Sequence, residues 1–294
     1  MANWIPFLIL SVVSIFVLMY TWFKTKQPIV FLFWLFISGI SYFFEFIIFI
    51  ILDSYLYEPH ILSNDYNDNV LGAVSSQLLA VPAAITFATF LTIKKRWIFV
   101  LVGLFVVIEE LFLRIGVYKH FWWKSYYTSF FLLFAFFLAR YWYNCLQKNK
   151  HMWHHLITLF FALSTIVLTI TWGFSSILRI YEIHLGWFND EIKDITSGNI
   201  LYFWLATYFY SLVIFYTNRD WKYLLAGLIF FSVVEFYMWR NGIITIKHSL
   251  NLLLFPTSHL MFIMVFGRLY RQFFPYYSSP SNQVLKKKKA SSSS

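Results

Sequence analysis

The sequence predicts an all-α fold, a polytopic transmembrane helical bundle of about nine spans, and two observations support this. Hydrophobic residues make up 60% of the 294 residues and charged residues only 12%, about half of the roughly 25% that a soluble domain carries. The hydrophobic residues also lie in continuous runs near the ~20 residues that a helix needs to cross a bilayer. A β-barrel would instead show alternating segments of about ten residues. The composition therefore excludes a soluble globule and a disordered chain.

Nine runs are long and apolar enough to span, and we expect helices because backbone groups in lipid must hydrogen-bond within their own segment. They cover, in order, residues 4–23, 28–52, 71–93, 97–118, 125–145, 156–176, 200–217, 221–239 and 248–270. Pro82 and Pro256 fall inside two runs and predict kinks, since proline lacks the backbone N–H. We expect the first run to be retained, because no basic residue precedes it. The single cysteine, Cys145, excludes an internal disulfide.

The distribution of charge predicts the orientation of the chain. With the N-terminus outside, 16 of the 23 basic residues fall in inner segments, and eight of the 13 acidic residues fall in two outer loops, 53–70 and 177–199. Such a bias is typical of a cytoplasmic side, so we expect a multi-pass cell-membrane protein with a cytoplasmic C-terminus. The basic inner rim suits anionic lipids, which makes membrane lipids the expected partners and nucleic acid an unexpected one. The polar tail, 272–294, is expected to be disordered.

Four ordered pairs of matching patterns predict an internal repeat. They are Tyr57-Glu58-Pro59-His60 with Tyr181-Glu182-Ile183-His184, Trp97 with Trp221, Glu110-x3-Arg114-x-Gly116 with Glu235-x4-Arg240-x-Gly242, and Lys119-His120 with Lys247-His248, at offsets that drift from 124 to 128. The predicted organisation is an N-terminal span (1–27), two four-helix repeats (28–155 and 156–271) and the tail. Because four spans is an even number, both repeats share one orientation, and a pseudo-twofold axis should run along the membrane normal.

The recurring ionisable residues are the candidate binding site, since charged side chains inside a membrane are costly and usually face the bundle interior. Glu110 and Arg114 share a helix face and are expected to pair, whereas Glu235 and Arg240 do not share one. We expect an outward-facing polar site between the repeats, with histidines as pH-sensitive rim residues. The full set is Glu110, Arg114, His120, Glu235, Arg240, His248, Tyr57, Glu58, His60, Tyr181, Glu182 and His184. A purely structural pairing of these charges remains an equal alternative.

Two metal-site hypotheses stay open beside the expectation that the protein has no metal and no cofactor. Glu58, His60, Glu182 and His184 carry ligands that borderline cations accept, although such residues also anchor loops at the interface. The acidic clusters Asn64-Asp65-x-x-Asp68 and Asp190-Glu191-x-x-Asp194 suit Mg²⁺ held against a diphosphate. In this respect the chain resembles membrane prenyltransferases with two aspartate-rich motifs, and a solvated acidic loop is the alternative.

Each half also carries a looser set of landmarks. In the first half these are Leu52-Asp53 with Tyr57-x-Pro59, then Pro82, then Glu109-Glu110 with Gly116 and Tyr118, then Ala139-Arg140-Tyr141. On these residues the chain resembles small uncharacterised integral membrane proteins of endospore-forming Firmicutes, best over 28–143 and less well over 156–270. The resemblance implies a bacterial cell or spore membrane and no particular activity.

Three functions follow as hypotheses. The first is a non-enzymatic membrane protein that binds a small solute, a lipid headgroup or a helix of another membrane protein. The second is a membrane enzyme acting on an isoprenoid or lipid, which predicts a roomy apolar cavity beside Glu110 or Glu235. The third is a secondary transporter, against which the two halves show no matching pair of glycine- or proline-broken spans.

Overall fold

The structure, a computed structural model, describes residues 2–148, 151–217, 221–248 and 253–273. Within them the chain forms nine helices and four three-residue strands. The helices are α1 (Trp4–Thr25), α2 (Ile29–Ile51), α3 (Asp65–Phe90), α4 (Lys95–Arg114), α5 (Ser125–Gln147), α6 (Met152–Ile177), α7 (Glu191–Thr217), α8 (Trp221–Arg240) and α9 (Leu254–Phe273). The strands are β1 (Tyr55–Tyr57), β2 (Tyr118–His120), β3 (Tyr181–Ile183) and β4 (Ile244–Ile246).

The all-α prediction is confirmed, and seven of these helices are long and apolar enough to cross a membrane by length and composition. They are α1, α2, α3, α5, α6, α7 and α8, and α9 contributes a shorter apolar stretch, Leu254–Val265. We call α2–α5 the first unit and α6–α9 the second unit. The predicted disordered tail, 272–294, lies outside the described residues except for its first two positions.

Two helices begin well before the apolar runs that predicted them. Helix α3 starts at Asp65 and α7 at Glu191, because the residue before each start acts as an N-cap. The side chain of Asn64 accepts the backbone N–H of Asn67 at 2.9 Å, and that of Asp190 accepts the N–H of Lys193 at 2.8 Å. The polar first turns are therefore helical, which hydropathy alone does not reveal.

The two prolines behave differently from each other. Pro82 follows the π-helical turn Ser75–Ala80 inside α3, and such turns locally rearrange the hydrogen-bond ladder of a helix. Pro256 is the third residue of α9, where backbone N–H groups have no partner within the helix in any case. The expected kink at Pro256 within a span is therefore wrong, because the helix begins beside the proline.

The strand pairs recur with one constant offset. Strand β1 pairs antiparallel with β2 and β3 with β4, and Tyr55↔His120 and Tyr57↔Tyr118 correspond to Tyr181↔Ile246 and Ile183↔Ile244, each 126 residues later. The starts and ends of α3 and α4 recur at the same offset in α7 and α8, apart from the end of α7. The constant offset of 126 differs from the drifting offsets of 124 to 128 in the sequence alignment. With the offset of 126, Tyr181 corresponds to Tyr55 and Glu235 corresponds to Glu109.

The two units meet along α2 and α6. A Cβ on Gly39 would lie 2.1 Å from the carbonyl oxygen of Phe161, and Thr165 donates its hydroxyl hydrogen to the carbonyl of Leu35 at 2.8 Å. Leu35 and Phe161, like Gly39 and Thr165, are 126 positions apart. The two contacts therefore lie at positions that differ by the same offset of 126.

Both strand pairs lie at the same end of the bundle, which we call the strand end. There Asn67 donates its side-chain N–H to the carbonyl of Ser176 at 2.8 Å. Lys193 places its Nζ 2.7 Å from both carboxylate oxygens of Asp53. Each contact joins the start of a helix in one unit to the loop or helix end of the other unit.

We expect Gly39→Ala to destabilise the protein by about 1–3 kcal/mol, the usual cost of overpacking a tight interior contact. The matched control is Gly103→Ala in α4, where an added Cβ meets nothing within 4 Å. Thermal unfolding in detergent measures both. A Gly39→Ala variant as stable as the control would contradict the close approach of α2 and α6.

Candidate functional site

A cavity of about 300 Å³ lies inside the first unit. Helices α1 to α5 form its walls, and β1 and β2 close it at the strand end. Most of the lining is apolar, and the polar lining residues are Ser41, Tyr55, Tyr57, Ser75, Ser76, Gln77, Glu109, Tyr118 and Thr128. A second cavity of about 70 Å³, which includes Glu45 and Trp172 in its wall, lies between the units. The larger cavity therefore lies among α1 and the helices of the first unit. Only the smaller cavity lies between the units, where the sequence predicted a binding site.

Glu109 and His120 form a close pair beside the larger cavity. Strand pairing opposite Tyr55 holds His120 in place, and its Nε2 lies 2.8 Å from Glu109 Oε1. Glu109 is 9% exposed. Burial lowers the pKa of His120, with Lys124 acting in the same direction and Glu110 opposing it. The imidazole is therefore favoured in its neutral form, in which it can donate one hydrogen bond and accept another.

Three buried tyrosines close the cavity at the strand end. Tyr57 and Tyr118 stack with ring centroids 4.6 Å apart, and Tyr55 donates its hydroxyl hydrogen to Glu45. Burial, together with the nearby carboxylates Glu45 and Glu109, raises the pKa of Tyr57 and Tyr118. All three therefore remain neutral phenols that can donate hydrogen bonds.

Glu45 is a buried carboxylate that the candidate set did not include. One of its oxygens accepts the hydrogen of Tyr55, and the other has no hydrogen-bond partner among the described residues. The signal that could have found it was an acidic residue within the second apolar run. It lies immediately before the π-helical turn Phe46–Ile51 at the end of α2.

Glu110 and Arg114 do not form the predicted pair. Ser125 donates its hydroxyl hydrogen to Glu110 at 2.7 Å, Arg114 is exposed, and no ion pair joins the two in the described structure. Neither residue lines either cavity. The neighbouring Glu109, not Glu110, is the carboxylate that faces the interior of the first unit.

In the second unit Glu235 lies in a packed interior. Tyr202 donates its hydroxyl hydrogen to Glu235 Oε1, and His259 Nε2 lies 2.6 Å from the same oxygen. Glu235 lines neither cavity described here, whereas Arg240 and His248 are exposed. The two units therefore do not bring Glu110 and Glu235 together on one wall.

The loop residues of the candidate set contact near neighbours. Glu58 pairs with Lys119 at 2.6 Å, His60 lies 3.1 Å from the Asn3 side chain, and Tyr181 donates to Asn199 at 2.8 Å. Glu182 pairs with Arg179 at 2.5 Å, and His184 lies 3.3 Å from Thr245. Over the described ranges no group of three His, Cys, Asp or Glu side chains could hold a metal ion.

The acidic clusters anchor their own loops. Asp68 accepts the backbone N–H groups of residues 60–62 at 2.7–2.9 Å, and Asp194 accepts those of residues 185–188 at 2.8–3.3 Å. Both carboxylates are buried. Their oxygens are thus engaged with backbone donors, which gives the acidic pattern a structural explanation without a diphosphate.

Side-chain size explains why the larger cavity lies in the first unit. Ser76 and Gln77 line it, and the residues 126 positions later are Tyr202 and Phe203. Tyr202 reaches Glu235, the equivalent of Glu109, and thereby fills the space that Ser76 leaves open. At these two positions the second unit therefore carries larger side chains than the first unit has beside its cavity.

No protein-family model, curated protein or solved structure matches this chain.

We expect the stability of the protein to fall as the pH drops below about 6.5, the ordinary pKa of histidine. Because the folded state favours neutral His120, the unfolded chain binds a proton first, and the stabilising contribution is complete only above that pH. Thermal unfolding between about pH 8 and pH 5 should show a weaker pH dependence in His120→Gln. His248→Gln, at an exposed position, is the control and should resemble the wild type; identical profiles for all three would contradict the assignment.

Proposed function

We propose that this chain is a non-enzymatic integral membrane protein that binds an amphiphile, with an apolar body and a hydroxyl or amine head, in the first-unit cavity. The observation that carries the proposal is the cavity itself. Its volume of about 300 Å³ is within the range of small-molecule sites, which combine apolar walls with a few placed polar groups. Here the walls are helical and the polar groups gather toward the strand end.

The polar groups define the head that the cavity would accept. Because Tyr118 hydrogen-bonds to Tyr57, it is Tyr57 that can donate a hydrogen bond to an oxygen or nitrogen of the ligand, and Glu109 can accept one. A head that both donates and accepts satisfies both, whereas a diphosphate would meet the Glu109 carboxylate with no lysine or arginine in the lining. An alcohol or an amine therefore fits better than a strongly anionic group.

We further propose nine spans, with α4 and α9 crossing the membrane beside the seven more apolar helices. The constant offset of 126 and the reciprocal contacts of α2 and α6 support two duplicated units related by an axis along the membrane normal. For orientation, we propose that the strand end is outside. Asn3 donates to the carbonyl of Glu58 at 3.1 Å, which puts the N-terminus at the strand end. At the opposite side, Lys24 lies in the last turn of α1 and Lys94 follows the end of α3.

A second candidate is a membrane enzyme acting on an isoprenoid or lipid. It is favoured by the position of Glu109 and His120 beside an apolar cavity, since a carboxylate–imidazole pair is suited to general acid–base catalysis. Incubation of the purified protein with isoprenoid alcohols, followed by mass spectrometry of extracted lipids, distinguishes the two. A new product lost in Glu109→Gln supports the enzyme, and an unchanged alcohol supports binding alone.

We expect Ser76→Tyr to weaken binding of retinol, a fluorescent isoprenoid alcohol, because the new ring copies Tyr202 and fills part of the cavity. Energy transfer to retinol from the tryptophans of the protein, of which Trp123 lines the cavity, measures binding. A loss of affinity of about tenfold or more is expected, or about 1.4 kcal/mol.

Two further measurements make this test decisive. Ser63→Tyr adds the same side chain at an exposed loop position and should bind like the wild type. Thermal unfolding of Ser76→Tyr should remain at least as cooperative as that of the wild type. A folded Ser76→Tyr variant that still binds retinol with wild-type affinity would overturn the proposed function.

A further inference from the structure

The cavity of the first unit has one lining residue that also faces outward. Phe134 of α5 lines the cavity and is nevertheless 58% exposed on the outer surface of the bundle. The other lining residues are buried or half-buried. Helix α5 is apolar and long enough to cross a membrane. In the membrane arrangement proposed above, the surface on which Phe134 lies therefore faces hydrocarbon and not water.

Aromatic contacts close the boundary between α2 and α5 above and below Phe134. Nearer the strand end, the rings of Phe44 and Phe131 lie 4.8 Å apart. Toward the opposite end, Phe36 and Trp142 stack at 5.4 Å. Between these two contacts the cavity is lined by the small side chains Ser41 of α2 and Ala135 of α5.

The two ends of the cavity are closed more firmly than this side. At the strand end, Tyr55, Tyr57, Tyr118 and Trp123 are all 8% exposed or less, and their rings contact one another. Below the cavity, Phe36 and Phe136 are each 1% exposed or less and belong to the main hydrophobic core. Passage through either end would require several packed rings to separate.

We propose that the ligand enters sideways from the bilayer, through a portal between α2 and α5 that the side chain of Phe134 covers. This inference rests on the proposed ligand cavity and names its substrate class: molecules dissolved in the hydrocarbon region, such as long-chain or isoprenoid alcohols, and not water-soluble solutes. An exposed phenylalanine ring can change rotamer within nanoseconds, so its motion opens the portal without separating the helices.

Retinol exchange in nanodisc-embedded protein tests the portal. The variant Phe134→Ala uncovers the opening, and Phe137→Ala removes the same ring from an exposed position of α5 that does not line the cavity. Loss of energy transfer from tryptophan to retinol, after mixing with excess empty phosphatidylcholine vesicles, gives the release rate. Equilibrium titration of retinol in the nanodiscs gives the affinity.

We expect Phe134→Ala to raise the release rate about threefold or more while the dissociation constant changes less, because a portal affects entry and exit alike. Phe134→Trp should lower the release rate, and Phe137→Ala should leave it unchanged. Equal rates in all variants, or equal acceleration by both alanine variants, would overturn the portal and leave the binding site intact. Failure of the wild type to bind retinol would instead overturn the proposed function, and the portal with it.

Discussion

Backbone groups that leave a helix but stay buried need hydrogen-bond partners that water does not supply, and this constraint governs the strand end. Each unpaired buried polar group costs about 1–3 kcal/mol. The chain meets the constraint with two three-residue strand pairs and with two buried aspartates. Asp68 and Asp194 each take up a run of loop N–H groups. In the first unit the strand pair positions Tyr55, Tyr57, Tyr118 and His120 at one end of the cavity.

The strand pairing decides which side chains enter the interior. In β1 the side chains of Tyr55 and Tyr57 point inward on alternate positions, as the period of a strand requires, while Leu56 between them is half-buried. Opposite Tyr55, β2 presents His120 to Glu109. Glu45 and Glu109 thus receive their partners from the strands, and the Glu110–Arg114 pair that helix-face spacing predicted does not form.

Sequence reasoning reached the helical class and most of the long apolar helices, because hydropathy over about 20 residues is a local property. The two matching halves stay a prediction from recurring motifs. Sequence reasoning misaligned the halves because it matched identical letters: Tyr57 with Tyr181 and Glu110 with Glu235. Equivalence in the fold follows strand register, which couples residues more than 60 positions apart, such as Tyr55 and His120. Glu109 and Glu110 are adjacent in sequence, and only the rotation of α4 within the bundle separates their roles.

The difference between the units shows how a site can arise by removing side-chain volume and not by adding catalytic groups. Glu109 and Glu235 occupy equivalent positions, and each has a histidine, from β2 in one case and from α9 in the other. In the second unit the Tyr202 ring and hydroxyl fill the interior and contact the carboxylate, whereas Ser76 leaves this space open. Packed interiors tolerate little unfilled volume without loss of stability. The larger cavity of the first unit therefore lowers the stability of the protein, and a bound apolar ligand would offset that loss. The second unit, in which Tyr202 fills the corresponding position, shows how the same site looks without the loss.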